Sequence, residues 1–138
     1  SRIALREVVR NAKVAAIFGL PSDARLLHLK RVRYADEQPV SNESAWYNLN
    51  SVPGLEQADL SGSVYALLEG QGQPLTHCEQ VIEAVMPTPE DCEVFGLASP
   101  VPCVLIRRRS FTRANVMLEY VEGTFRGDVY SYRMTLSV

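Results

Sequence analysis

Histidine and cysteine are scarce in this chain, and their spacing excludes several chemistries at once. His28 and His77 are single and distant from each other, so they form no metal-binding pair. Cys78, Cys92 and Cys103 are odd in number and show no CxxC spacing. They read as free, mostly buried thiols of a reducing cytoplasm rather than a disulfide framework. No apolar run approaches the roughly eighteen residues that cross a bilayer, so no membrane association is expected. The first twenty residues carry Arg2, Arg6, Glu7, Arg10 and Lys13, which argues against a signal peptide. A basic surplus is also missing: 14 Lys and Arg stand against 16 Asp and Glu, for a net charge of −2. Proteins that grip nucleic acid normally replace phosphate counterions with cationic side chains, so direct DNA or RNA contact by this segment is not expected. No nucleophile–base pair and no cofactor motif stands out, so neither catalysis nor a cofactor is implied. The opening "SRIALREVV" has no initiator methionine and reads as a segment of something longer.

What is present is the makeup of one folded domain over residues 1–138, with 46% hydrophobic and 22% charged residues. The chain echoes itself. Phe18-Gly19-Leu20 recurs as Phe95-Gly96-Leu97, each closing a short helix on a left-handed glycine. Each helix is preceded by an alternating segment, Ile3 to Val9 and Val81 to Met86. A β-branched, basic strand follows in each copy: Leu26 to Tyr34, then Pro102 to Thr112. Polar turns, "ADEQP" and "RAN", lead into returning strands that carry Glu43 and Glu119 at matching places. Strand, helix, strand, hairpin, strand, present twice, fits two halves of one antiparallel sheet with helices over one face, an α+β fold. A last strand is expected over Val129 to Leu136, where Tyr130, Tyr132, Met134 and Leu136 alternate with polar residues.

Between the halves lies "DLSGSVYALLE", where Leu60, Val64, Leu67 and Leu68 keep helical spacing. Ser61, Gly62 and Ser63 at its start describe either an ordinary cap or part of an anion pocket. Strand alternation points Arg31 and Arg33 the same way, and guanidinium groups suit a phosphate or carboxylate. Should that strand meet the helix start, both arginines and both serines would share one anion. Glu43 and Glu119 would then accept hydrogen bonds from the rest of a small polar guest. The plainer alternative makes the arginines a solvated edge and Ser61 only a cap. Arg107-Arg108-Arg109 reads as surface, and Trp46, Tyr47 and Tyr65 as core or rim.

Four segments in order carry a resemblance: "FGLPSDARLLHLKRVRYADEQPVSNESAWY", "PGLEQADLSGSVYALLE", "EQVIEAVMPTPEDCEVFGL" and "MLEYVEGTFRGDVYSYRMTL". Together they resemble the UTRA domain, the effector-binding module of GntR-type transcriptional regulators of the HutC subfamily. The resemblance implies a chorismate-lyase-like antiparallel sheet with flanking helices, and a homodimer in the cytoplasm. It also implies a winged helix-turn-helix domain N-terminal to this segment, through which alone DNA would be bound. Small metabolites such as sugar phosphates or amino-acid derivatives would be the effectors. Arg31, Arg33, Ser61, Gly62 and Ser63 would hold the anionic group, with Glu43, Glu119 and Phe125 against the remainder. Phe125 stands where the family commonly has tyrosine, and Val121-Glu122-Gly123 where Ser-Arg-Ser is usual. Those departures argue against an amino-sugar phosphate. The rival readings are an enzyme on the related lyase fold acting on an anionic aromatic acid, and a dimerisation module with a vestigial pocket.

Overall fold

The computed structural model describes residues 1–138 and contains six strands and three short α-helices. In chain order these are β1 (Arg2–Val9), α1 (Ala12–Phe18), β2 (Leu26–Ala35), β3 (Gln38–Asn48), α2 (Val64–Gly70), β4 (Leu75–Val85), α3 (Pro89–Phe95), β5 (Cys103–Thr112) and β6 (Met117–Arg126). All pairings are antiparallel, and the strand order is β1-β2-β3-β6-β5-β4. Each half contributes three consecutive sheet positions, and the halves meet at the β3–β6 pair.

The internal repeat is therefore a property of the fold. Shifting the first half by 77 residues lays Ala12–Phe18 on Pro89–Phe95 and Leu26–Ala35 on Cys103–Thr112. Asn11 and Thr88 occupy matching N-caps, each accepting a hydrogen bond from the backbone N–H three residues on. Gly19 and Gly96 close the two helices at φ +71° and +67°, a conformation that costs glycine little. The strand ladders even share an irregularity, after Arg33 in one half and after Ser110 in the other.

Alternation along the strands sorts the core into two layers. Leu27, Leu29, Ala45 and Tyr47 pack against Val52, Leu55, Leu60, Val64 and Leu68, which belong to α2 and the segment leading into it. Leu26, Met117 and Tyr120 pack against Val14, Ala15 and Phe18 of α1. The α3 helix lies on that second side as well, where the Asn42 amide donates to Asp91 at 2.9 Å. Helices thus cover both faces of the sheet, not one. A sheet whose two faces are both apolar has to be covered twice.

Two further expectations are corrected. The segment 129–136 forms no strand despite its alternation. Tyr130 packs on Phe125 of β6 and Tyr132 bonds Gln80 of β4, so the tail crosses the sheet face, and its backbone joins no ladder. The thiols are not mostly buried: Cys103 is buried, Cys92 half-buried and Cys78 exposed. Cys78 lies on β4, whose outer edge has no neighbouring strand.

Candidate functional site

On the α2 side of the sheet lies a cavity of about 280 Å³. Strands β2, β3, β5 and β6 supply Arg31, Arg33, Glu43, Tyr47, Arg108 and Glu119, and α2 with its cap supplies Ser63 and Tyr65. The first hairpin's arginine pair and the helix start therefore do meet. Arg31 ties them directly: its guanidinium donates to the Leu60 carbonyl at 2.5 Å. Its Nε is buried without a partner, which leaves a donor uncommitted. Arg33 is more exposed and approaches Glu43 at 3.4 Å, a loose ion pair.

The helix start divides the expected serines. Ser63 is the N-cap, accepting from the Ala66 N–H at 3.2 Å, and it lines the cavity. Ser61 and Gly62 do not line it. The Ser61 hydroxyl instead donates to Asp59 at 2.7 Å, closing a local turn ahead of the helix. The helix begins at Val64 rather than Ser61 because Ser63 supplies the capping oxygen.

Glu43 and Glu119 both reach the cavity but are not structural counterparts. The hairpin registers place Ser41 in the position of Glu119 and Val121 in that of Glu43. The two carboxylates also have different environments. Glu43 is half-buried and accepts from the Ser41 hydroxyl at 3.1 Å. Glu119 is 3% exposed and accepts from three hydroxyls: Tyr47 at 2.8 Å, Tyr65 at 3.0 Å and Ser110 at 3.0 Å. Burial, then the neighbouring Glu119 charge, raises the Tyr47 phenol well above its usual value. The same two causes, in the same order, raise Tyr65. Both rings stay protonated and keep donating to the carboxylate.

Arg108, expected at the surface, is the third guanidinium of the site. It donates to Gln80 at 2.9 Å and to the Tyr65 oxygen at 3.3 Å. Burial disfavours its charge, but the hydrogen bond to the Tyr65 oxygen and the nearby Glu119 carboxylate outweigh that cost and raise its affinity for the proton. The signal was available in the repeat: the 77-residue shift carries Arg31 onto Arg108. Tyr47 and Tyr65 carried no such signal, since Tyr47 meets Glu119 through the β3–β6 register and Tyr65 through the seat of α2 on the sheet.

Phe125 lies outside this cavity, in an adjoining one of about 200 Å³ that shares Arg33, Glu43, Arg108 and Val121 with the first. No group of histidine, cysteine and acidic residues is placed to hold a metal ion. No helix is long and apolar enough to cross a membrane.

Comparison with known proteins agrees with this architecture. The UTRA domain family matches residues 2–131. The transcriptional repressor NagR of Bacillus subtilis is 25% identical over 121 residues, 87% of this chain and 50% of that protein. The histidine utilization repressor of Klebsiella aerogenes is 30% identical over 103 residues, 75% of this chain and 43% of that protein. The chain spans about half the length of the curated relatives it matches. The effector domain of PhnF from Mycobacterium smegmatis superposes with a TM-score of 0.90 at 23% identity, covering 99% of this chain and 85% of that one. The ligand-binding domain of a GntR-family regulator from Bordetella bronchiseptica gives a TM-score of 0.88 at 22% identity, covering 99% and 90%. The repeated six-stranded sheet, the helix between its halves and the match over nearly the whole chain lead to one conclusion: this chain belongs to the UTRA domain family.

Proposed function

We propose that this domain is the effector sensor of a cytoplasmic GntR/HutC-type transcriptional regulator. Its guest is a small anionic metabolite, drawn from the sugar phosphates or the organic and amino-acid derivatives. The observation that carries the reading is the convergence of Arg31, Arg33 and Arg108 on one cavity with only two carboxylates beside them. Three guanidinium groups against two carboxylates leave the cavity positive, and the Glu119 carboxylate is turned to three hydroxyls. An anion entering there gains charge-assisted hydrogen bonds from groups already held in place. The role is regulatory and not enzymatic, in keeping with relatives named as repressors.

The mechanism is a shift between arrangements of a homodimer, with the DNA contacts made by an N-terminal winged helix-turn-helix domain. Apolar Ile3, Leu5 and Val8 on edge strand β1, and Val81 and Ile82 on edge strand β4, are exposed and supply surface that a second copy would cover. Melting curves against a panel of phosphorylated sugars and organic acids test the sensor. At least one anion raises the melting temperature of the wild-type chain, because a ligand of the folded state stabilises it by mass action. Arg33→Ala, exposed and loosely paired, melts like wild type without ligand and loses that response. A full response in the variant removes Arg33 from the site, and a panel without any response removes the sensor.

A further inference from the structure

We infer that the ligand is an organic acid with an aromatic or planar unsaturated group, and that this group occupies the second lobe of the cavity, beside Phe125. The inference rests on the anion-sensing reading and adds the chemistry of the ligand's other end.

The two lobes are joined through Arg33, Glu43 and Arg108, which line both. Beyond those three groups, the walls of the second lobe are Ile106, Val121, Gly123, Phe125, Tyr130 and Tyr132. No further charged side chain lines it, so the part of a ligand farthest from the arginines meets aliphatic surface and rings. Gly123 lines the lobe where Phe125 and Glu43 crowd closest to the backbone. A Cβ there would lie 3.0 Å from the Phe125 ring and 3.1 Å from Glu43 Cγ, so both side chains would have to shift. Phe125 and Tyr130 form an aromatic corner, with ring centroids 4.4 Å apart and planes tilted by 31°. Both rings line the lobe, and a third ring in offset or edge contact with either gains from the pairing.

The aromatic wall is also coupled to the anion-binding charges. Gln80 donates to the Tyr132 hydroxyl at 2.9 Å while its carbonyl oxygen accepts from Arg108 Nε at 2.9 Å. One glutamine thus sets both the tail that closes the lobe and a guanidinium at its mouth. A ligand carboxylate at Arg33 and Arg108 would place an adjoining flat group against Val121, Phe125 and Tyr130. A sugar phosphate would instead press part of its hydroxyl-bearing surface on Ile106, Val121 and Phe125, leaving only Glu43 and the two tyrosine hydroxyls to replace the water it loses.

Calorimetric titration of the 138-residue chain with acetate, phenylacetate, inorganic phosphate and glucose 6-phosphate tests this. Phenylacetate binds at least about tenfold more tightly than acetate, as burial of even part of a ring requires. Gly123→Ala, whose methyl pushes Phe125 and Glu43 out of place, removes most of that ratio. If Gly123→Ala does not fold, Tyr130→Ala in the irregular tail replaces it, and the ratio falls there too. Equal affinity for acetate and phenylacetate, or an unchanged ratio in the folded variant, overturns the aromatic lobe. Tight binding of glucose 6-phosphate with none of phenylacetate also overturns it, while leaving the anion sensor intact. Failure of all four anions to bind overturns both.

Discussion

The two halves of the sheet share a backbone plan and differ in what they place on it. In the first half, the positions that face α2 carry Leu29, Arg31, Arg33, Glu43, Ala45 and Tyr47. The matching positions of the second half carry Ile106, Arg108, Ser110, Val121, Gly123 and Phe125. One arginine is kept, the other becomes serine, the acid becomes valine and the phenol becomes phenyl. The first half is closed over by α2 and pinned by Arg31 on Leu60, and it carries three of the four charged groups at these matched positions. The second half lies under the irregular tail and keeps only Arg108 among charged groups there. A symmetrical frame has thus been given an asymmetrical cavity, richer in charge toward α2 and in rings toward the tail. The backbone fixes where side chains can meet, and single substitutions at matched positions decide what they meet for.

That contrast can be broken by measurement, most sharply in the core. Leu29 is 1% exposed and packed under α2, so Leu29→Ala costs about 2–5 kcal/mol in denaturant unfolding. Its counterpart Ile106 borders the open lobe, and Ile106→Ala costs less, near the bottom of that range of about 2–5 kcal/mol. Equal costs would mean that the two halves are packed alike.

The carboxylates come next. Glu119→Ala strands the hydroxyls of Tyr47, Tyr65 and Ser110 and destabilises the domain by about 1–3 kcal/mol. Glu43→Ala removes a looser pair beside solvent and costs under about 1 kcal/mol by the same unfolding measurement. The reverse ranking would contradict the assignment of Glu119 as the structural acid and Glu43 as the available one.

Helix caps give a smaller difference. Thr88 and Asp91 form a reciprocal capping box, whereas Asn11 faces Val14 at the corresponding position and caps alone. Thr88→Ala and Asn11→Ala each cost on the order of 1 kcal/mol, with Thr88 the larger. Unfolding midpoints of the two variants check the order.

The pH response is the smallest effect. His28 is stacked on Trp46 at 4.6 Å with its Nε2 buried and unpartnered, and burial lowers its pKa from 6.5 despite the opposing pull of Glu7. The folded state therefore prefers the neutral ring. Above 6.5 this contribution is complete, and it is lost as the pH falls from 6.5 through the lowered folded value. The matching residue in the second half, Leu105, cannot titrate. Melting temperatures of wild type and His28→Gln between about pH 5 and pH 8 isolate the effect, since the variant should lose this part of the slope.

Much of the fold was legible because repeat signals are local. Phe-Gly-Leu closes both helices, and alternation marks the strands from Leu26 and from Pro102. The same local signal fails at 129–136, where the alternating residues lie across the sheet face, with Tyr130 on Phe125 and Tyr132 on Gln80, and pair with no edge. The site was partly legible. Arg31, Arg33, Glu43, Ser63 and Glu119 reach the cavity, while Ser61 turns to Asp59 and Phe125 sits in the neighbouring lobe. Arg108 was overlooked because three consecutive arginines look alike until strand register chooses which one faces inward.

The amino-acid order by itself determined the two-fold repetition, the helix ends and the direction in which Arg31 and Arg33 point. These depend on residue spacing and backbone preference, which act over a few positions. Only the tertiary structure decided that Glu119 is held by Tyr47 and Tyr65, that Arg108 joins the cavity and that the tail crosses the sheet instead of extending it. Those outcomes depend on the pairing of β3 with β6 and on the seat of α2, which bring together side chains more than fifty residues apart.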